Sequence, residues 1–349
     1  MRALQQGWPR PRNPRPIVVI GAGGIVRSAH LPAYRKLGFP VAGIFDVRPA
    51  SAQEVARKLG VRRVFRSVED AGAAEGVVFD LAVPAGQVLE VLRALPAGAA
   101  VLIQKPLGRD LAEARRIAAL CRRKRLLAAV NFQLRFAPNM LALADGVRRG
   151  MFGEVVDVEV RVNTCTGWDQ WSFLRGIPRL EIVYHSIHYL DLVRRLVGEP
   201  HGVKAWAGAH PRFPGYADTR SSVILDYGRS LRVSVQANHA HAWGGRHAVS
   251  ELKLEGTRGA ALARMGVNLD YPRGRPDALE IARNGAPWRR VPLRGSWFIA
   301  AFEGPMSNLQ RHASGEDEAL LSPVADAVKT MALVEACYRS AARPGTLLR

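Results

Sequence analysis

The sequence predicts an α/β protein with two parts, a doubly wound parallel sheet followed by an α+β domain with a mostly antiparallel open sheet. Up to about residue 135, short apolar runs alternate with helix-length amphipathic segments. After about residue 150 the strand-like segments alternate apolar and polar residues instead. Strands that are apolar throughout are typical of a parallel sheet covered on both faces, whereas alternation is typical of a sheet with one covered face.

The first domain is expected to span residues 16–135. Its helical segments include SAQEVARKLG and LAEARRIAALCRRK, which separate the apolar runs as crossover helices do in a parallel sheet. Residues 1–15 are basic and rich in proline, so we expect a solvated tail. The predicted strands are IVVI (17–20), VAGIF (41–45), VVFDLAV (77–83), AVLI (100–103) and LLAAV (126–130).

The second domain is expected to span residues 136–349. A hairpin is predicted around Gly228, and a helix from about Glu181 to Val197 interrupts the strands. The chain ends in an amphipathic helix, VADAVKTMALVEACYRSA, which we expect can pack back on the first domain. The alternating segments are EVVDVEVRV, SSVILDYG, LRVSVQANH and SELKLEG.

The composition excludes several classes of protein. The chain has 349 residues and a formal charge of +20, but its basic residues are spread along its length, which favours a solvated surface over a nucleic-acid interface. No apolar run reaches the roughly 18 residues of a membrane helix. Its three cysteines are far apart, which is typical of a reducing cytoplasm and of neither a disulfide framework nor a zinc cluster.

A glycine-rich turn follows the first strand. Gly21 permits a tight turn, and Gly23 lets backbone amides approach a pyrophosphate. Gly24 and Ile25 lead into a helix, whose first amides and dipole favour an anion. Val26 stands where a small residue would allow the closest packing of helix on strand.

An acidic residue follows the second strand at the spacing expected for a dinucleotide site. Asp46 lies about twenty residues beyond the glycine turn, where a carboxylate accepts hydrogen bonds from ribose hydroxyls and repels a 2′-phosphate. Arg48 is a cation that accommodates such a phosphate. The pattern therefore favours NAD and leaves NADP as the alternative.

The order and spacing of these motifs resemble the glucose-fructose oxidoreductase/inositol dehydrogenase family. The match includes Asp46, Pro84, the Gln104-Lys105-Pro106 motif and the helix HSIHYLDLVRRLVGEP. The resemblance implies a Rossmann domain, and an NAD(P)-dependent dehydrogenase that acts on a secondary hydroxyl of a sugar or polyol. It further implies a homodimer or homotetramer and no metal.

The resemblance implies that Lys105 lies beside the nicotinamide and hydrogen-bonds the reacting oxygen, where an ammonium stabilises developing negative charge. Gln104 replaces the glutamate that is usual in the family, so a carboxylate is missing there. We expect the cofactor to contact the ends of the strands and the turns that follow them, at Gly21, Gly23, Gly24, Ile25, Asp46, Arg48, Val83, Pro84, Gln87, Gln104 and Lys105.

The predicted helix carries a polar stripe at Glu181, Tyr184, His185 and His188, which share one helical face. His188 matches the family position of the catalytic histidine and is predicted to be the general base. Tyr184 replaces the family aspartate, and Tyr184 and His185 are predicted to adjust the basicity of His188. Two other interpretations stay open: a metal site at Glu181, His185 and His188, or interior histidines that support packing.

Other residues are candidates for contact with the substrate. Trp168 and Trp171 precede the predicted helix, and they fit either stacking on a sugar or filling a small core. Asn238 and His239 lie on opposite faces of the predicted strand VQANHAHAW, and either is expected to bind hydroxyls or to contact a neighbouring subunit. Arg135 resembles an arginine of the family, with either a structural or a substrate-binding role.

Two alternatives to a simple dehydrogenase remain. One is an enzyme that holds NAD tightly, oxidises a glycoside transiently and cleaves it by elimination. The other is a regulator that binds NAD(P) without chemistry, against which the retention of Lys105 and His188 argues.

Overall fold

The computed structural model describes residues 3–271 and 273–348, which divide into two compact units. The parallel-sheet unit consists of Gly7–Phe136 and Phe298–Met331. The antiparallel-sheet unit consists of Ala137–Trp297 and the described residues at the two ends of the chain, 3–6 and 332–348. No helix in the described ranges is long and apolar enough to cross a membrane.

The parallel-sheet unit contains a five-stranded sheet in the order β2-β1-β3-β4-β5. All of its pairings are parallel, and each predicted apolar run coincides with one strand to within a few residues, so the predicted fold class is confirmed. The strands are β1 (Ile17–Ile20), β2 (Val41–Phe45), β3 (Val78–Leu81), β4 (Ala100–Gln104) and β5 (Leu127–Asn131).

The helices begin and end at residues whose chemistry explains their limits. Asp110 accepts a hydrogen bond from the Glu113 amide at the start of the fifth helix, and Gly60 ends the second in the left-handed conformation. The helices are α1 (Leu31–Leu37), α2 (Pro49–Leu59), α3 (Val68–Gly72), α4 (Val88–Ala94), α5 (Leu111–Arg123), α6 (Pro138–Arg148), α7 (Ile187–Val197), α8 (Trp297–Ala300), α9 (Glu303–Ala313) and α10 (Val324–Ala341).

Residues 7–15 are exposed or partly exposed, except for Pro11, as expected of a solvated tail, but hydrogen bonds anchor them within the parallel-sheet unit. The Trp8 indole donates a hydrogen bond to Asp317 (2.7 Å), and the Arg15 amide donates one to Gln310 (2.7 Å). These acceptors belong to α9 and to the loop after it, a part of the chain that the sequence did not associate with the first domain. Side-chain acceptors far along the chain therefore order the segment despite its charge and proline content.

The antiparallel-sheet unit contains an eight-stranded sheet in the order β13-β12-β11-β10-β6-β9-β8-β7. Among the described strands of this sheet, only β6 and β9 pair in parallel, and β8 and β9 form the hairpin predicted around Gly228. The strands are β6 (Val155–Asn163), β7 (Gly202–Gly208), β8 (Arg220–Asp226), β9 (Arg232–Asn238), β10 (Val249–Gly256), β11 (Gly259–Arg264), β12 (Ala278–Arg283) and β13 (Arg289–Arg290).

Two helices contain a wider, π-helical turn at their start. Val26–His30 has this form before α1, and Ile182–Ser186 has it before α7. The sequence predicted regular α-helix in both places. Because a π turn bonds residues five apart instead of four, it changes which side chains share a helical face.

Candidate functional site

The glycine turn has the geometry expected of a nucleotide-binding loop. Gly21 has φ of 109°, and a Cβ there would lie 2.3 Å from the Ala82 carbonyl oxygen, so only glycine fits. A Cβ at Gly23 or Gly24 would meet no atom of the described protein within 4 Å. These two glycines therefore leave the backbone open to an approaching group, as the predicted pyrophosphate site requires.

The Asp46 carboxylate is held beside this turn. Its Oδ2 accepts a hydrogen bond from the Ala22 amide (2.7 Å), and its Oδ1 accepts one from the Arg48 amide (2.9 Å). The Arg48 guanidinium is 76% exposed, with Nε 3.8 Å from Oδ1. A negative charge thus lies where β1 and β2 end, and the remaining lone pairs of the carboxylate suit ribose hydroxyls.

Lys105 follows the last residue of β4 at the same carboxyl edge of the sheet. Open α/β sheets bind their ligands at this edge, outside the strand ends. Burial lowers the pKa of the Lys105 ammonium to about 8. Gln104 carries no charge to oppose that shift, and its buried Oε1 has no hydrogen-bond partner among the described residues.

The turn after β3 completes this edge. The Gln87 amide donates a hydrogen bond to the Pro84 carbonyl (2.8 Å), which closes a short 3-10 turn over Ala85–Gln87. Val83 lies just before it and next to Ala82, whose carbonyl excludes a side chain at Gly21. The predicted cofactor residues therefore come from the ends of neighbouring strands in one unit.

A second polar group in this unit was missed by the sequence analysis. His30 Nδ1 lies 2.8 Å from Asp80 Oδ2, which also accepts a hydrogen bond from the Tyr34 hydroxyl at 2.8 Å. The Asn131 amide lies 3.2 Å from His30 Nε2, and all four residues are buried. The signal in the sequence was Asp80 itself, a carboxylate within the apolar run VVFDLAV.

In the antiparallel-sheet unit, the structure brings Glu181 and His185 together with His239. His239 Nε2 lies 3.2 Å from Glu181 Oε1, and His185 Nδ1 lies 4.0 Å from the same oxygen. The two imidazole rings are 4.0 Å apart, centre to centre. The Ser186 hydroxyl also donates a hydrogen bond to Glu181 Oε1 (2.7 Å).

Groups around this cluster hold its members in place. Asp218 accepts hydrogen bonds from the Leu180 amide (2.8 Å) and the Glu181 amide (3.0 Å), which anchors the start of the helical segment. Thr166 Oγ1 lies 2.7 Å from His239 Nδ1 and orients that ring. The cluster is therefore built from one helix, one strand end and two loops.

The predicted polar stripe does not stay together as one group. The Tyr184 ring packs against Phe173, with 6.0 Å between the ring centres. The buried His188 ring packs against Trp297 at 5.9 Å. The π turn changes the angular spacing, so Ser186 instead of His188 shares the Glu181 face.

Trp168 and Trp171 lie in an aromatic region of the same unit. Trp168 is 2% exposed and packs with Leu180 and Tyr216, while Trp171 packs against Tyr271 at 5.5 Å. Of the two interpretations left open, these contacts favour core packing for Trp168.

Two other substrate candidates bind protein groups within their own units. Asn238 Nδ2 donates a hydrogen bond to Asn163 Oδ1 across the sheet (3.0 Å). The buried Arg135 donates hydrogen bonds of 2.6 Å to Asp326 and to the Leu321 carbonyl. Of the two roles left open for Arg135, these contacts favour the structural one.

Two family models match the chain. One, described as an oxidoreductase family with an NAD-binding Rossmann fold (GFO/IDH/MocA), matches residues 15–132. The other, described as the C-terminal alpha/beta domain of that family, matches residues 145–346. The chain belongs to this family. It is an NAD(P)-dependent dehydrogenase with an NAD-binding Rossmann domain, as the sequence predicted.

Curated relatives match at low identity. The chain is 26% identical to a D-apiose dehydrogenase of Paraburkholderia graminis over 93% of its own length and 86% of the relative. It is 25% identical to a levoglucosan dehydrogenase of Pseudarthrobacter phenanthrenivorans over 58% of its length and 57% of the relative.

Solved structures share the fold. An oxidoreductase from Agrobacterium radiobacter in complex with NAD+, L-tartaric acid and magnesium matches with a TM-score of 0.79 at 20% identity, over 95% of this chain and 97% of that one. The WlbA dehydrogenase from Bordetella pertussis, in complex with NADH and UDP-GlcNAcA, matches with a TM-score of 0.76 at 20% identity, over 95% and 97%.

Proposed function

We propose that this dehydrogenase oxidises a secondary hydroxyl of a sugar, a polyol or a related compound with NAD, or reduces the corresponding ketone. The observation that carries the proposal is the position of Lys105, which lies at the same carboxyl edge of the parallel sheet as the glycine turn and Asp46. Burial lowers the pKa of its ammonium to about 8. When bound, the nicotinamide supplies the hydride acceptor. The protein residues bind and orient the reactants and move the hydroxyl proton.

The proposed role of Lys105 is to donate a hydrogen bond to the reacting oxygen. An ammonium stabilises the negative charge that grows on that oxygen as its proton leaves, and it is a stronger donor when its pKa is lowered. Because the charge is greatest in the transition state, this contact accelerates the reaction more than it strengthens substrate binding.

His188 is proposed as the general base. The residue is 6% exposed on α7, and its ring packs against Trp297, which limits its rotation. A neutral imidazole accepts a hydroxyl proton near neutral pH. His185 and Tyr184 are proposed to influence this base from neighbouring positions, since both lie in the π turn that precedes α7.

Carbohydrate is the proposed substrate class because the relatives point to it. They include a D-apiose dehydrogenase, a D-glucoside 3-dehydrogenase and a levoglucosan dehydrogenase. These relatives differ in the sugar named, and their identities of 25–26% support the class only.

A screen of sugars and polyols tests the proposal, with reduction of NAD or NADP followed by absorbance. We expect turnover with at least one sugar or polyol and a preference for NAD, because Asp46 would face a 2′-phosphate. Asp46→Ala should reduce that preference, whereas Glu75→Ala, at an exposed carboxylate, should leave it unchanged.

Two results would contradict the proposal. Cleavage of glycosides by protein that holds NAD throughout would indicate the elimination mechanism. Binding of NAD with no turnover on any sugar or polyol would indicate a regulator. A preference of the wild type for NADP would instead assign the decisive contact to Arg48.

A homodimer or homotetramer is also proposed. Trp206 on β7 and Ile224 on β8 point from the same face of the open sheet and are 49% and 52% exposed. Large apolar side chains on an open sheet face favour association. Light scattering on the wild type and on Trp206→Glu tests this, and a wild-type monomer would overturn it.

A further inference from the structure

The buried cluster of Glu181, His185 and His239 has the composition of a metal-binding site. Each residue offers one ligand atom, and these three atoms lie within 4.8 Å of one another. Glu181 and His239 are fully buried, and His185 is partly buried. All three belong to the antiparallel-sheet unit, so its internal geometry alone carries the argument.

The distances within the cluster are close to those of a bound ion. Zinc binds imidazole nitrogen and carboxylate oxygen at about 2.0–2.2 Å, so ligand atoms around a tetrahedral ion lie roughly 3.3–3.5 Å apart. Here His239 Nε2 is 3.2 Å and His185 Nδ1 is 4.0 Å from Glu181 Oε1. The His239 distance already matches this separation, and a shift of about half an ångström would bring His185 Nδ1 to the same distance from Glu181 Oε1.

The neighbours of the cluster orient the ligand atoms. Thr166 Oγ1, 2.7 Å from His239 Nδ1, can accept a hydrogen bond from the Nδ1 N–H and so direct the lone pair of Nε2 towards Glu181. The Ser186 hydroxyl donates to the Glu181 carboxylate at 2.7 Å. Metal-ligating histidines and carboxylates commonly have such hydrogen-bonded partners, which fix the tautomer and the ring orientation.

The charge of the cluster also favours a cation. Glu181 Oε2 is buried and has no hydrogen-bond partner within the described ranges. Burial of a carboxylate is unfavourable unless its charge is compensated. One competing arrangement is an ion pair in which a proton lies between His239 and Glu181. A metal ion would replace that proton and release it.

We propose that Glu181, His185 and His239 bind one divalent transition-metal ion and that Zn²⁺ fits them best. Two imidazoles and one carboxylate suit zinc and disfavour Mg²⁺, which prefers oxygen ligands. Three protein ligands leave a coordination position for water or for an oxygen of a bound molecule. The site differs from the one considered from the sequence, because His239 takes the place of His188.

Metal binding to the full chain tests this directly. The protein is stripped with a chelator, dialysed and titrated with ZnCl₂ by calorimetry, and CoCl₂ is added separately to record the visible spectrum. We expect one ion per chain and a cobalt spectrum typical of tetrahedral nitrogen and oxygen ligands. Glu181→Gln and His239→Gln should each weaken zinc binding by more than about 100-fold, since loss of an outer partner alone costs 10- to 100-fold.

His247→Gln is the matched control, because His247 is an exposed histidine of the same unit outside the cluster. Its zinc affinity should equal that of the wild type. Thermal unfolding checks that each variant is folded. ZnCl₂ should raise the Tm of the wild type and of His247→Gln but not that of His239→Gln. MgCl₂ should raise the Tm of none of the three proteins.

Failure of zinc binding by the stripped wild type would overturn the proposal. Equal zinc affinity in His239→Gln and the wild type would overturn it as well. Both readouts are independent of turnover, so they do not depend on whether a sugar is oxidised.

Discussion

Each unit of this protein contains a buried histidine beside a carboxylate, and each pair adjoins a π turn, yet the two are completed differently. In the parallel-sheet unit, His30 and Asp80 are joined by Tyr34 and Asn131. In the antiparallel-sheet unit, Glu181 is joined by two histidines and a serine. One oxygen of each carboxylate lacks a hydrogen-bond partner in the described structure, so that feature alone does not separate them.

The second partner of each carboxylate is what distinguishes the clusters. Tyr34 and Asn131 are neutral groups, and burial together with the charge of Asp80 raises the pKa of the Tyr34 hydroxyl well above its usual value. The tyrosine therefore stays a donor, and the cluster links α1, β3 and β5 as a structural element. A second imidazole in place of the phenol converts the same motif into a set of metal ligands.

The largest expected effect is on stability. Asp80→Ala should lower the free energy of unfolding by about 3–5 kcal/mol, because it leaves the buried His30 and Tyr34 donors unpaired. Urea unfolding measures it, and Glu75→Ala is the exposed control, expected to change stability by less than about 0.5 kcal/mol. If Asp80→Ala unfolded at the wild-type midpoint, the structural role of this cluster would be wrong.

The second largest expected effect is on the pH dependence of kcat/KM. The ammonium of Lys105 has its pKa lowered to about 8, so its charge is lost as the pH rises through that value. The kcat/KM for hydroxyl oxidation should therefore fall about tenfold for each pH unit above about 8. Lys105→Arg stays charged and should remove this alkaline limb, although its different shape lowers the rate overall.

His30→Gln provides the contrast for that measurement. It should reduce stability and leave the alkaline limb in place, because the His30 cluster is assigned no part in the chemistry. If His30→Gln moved the limb and Lys105→Arg did not, the assignments of the two residues would have to be exchanged.

The smallest expected effect, on the stability of the metal-free protein, distinguishes the carboxylate of Glu181 from that of Asp80. In chelator-stripped protein, Glu181→Gln should lower the free energy of unfolding by about 1 kcal/mol or less, because the amide oxygen still accepts the hydrogen bond from Ser186 and the substitution removes a buried charge. Urea unfolding of the stripped variant and wild type measures this. A loss of several kcal/mol would show that Glu181 stabilises the fold through its buried contacts, as Asp80 does, and the contrast between the clusters would fail.

The sequence by itself determined the features that depend on local pattern. The five parallel strands were predicted because each lies in a short run that is almost entirely apolar, as in β1 and β4. Gly21 was predicted because a turn between strand and helix needs its backbone freedom, and Asp46 because one strand–helix–strand unit has a nearly constant length. The role predicted for Lys105 came instead from the resemblance of the Gln104-Lys105-Pro106 motif to that of the family.

Only the tertiary structure decided which distant side chains meet. Glu181 and His239 are 58 residues apart in the chain, and no periodicity relates them. The π turn at Ile182–Ser186 then separated Glu181 from His188, which a regular helix would have kept on one face. Helical and strand periods describe one element at a time, whereas a buried polar cluster forms where several elements pack, and its members are set by that packing.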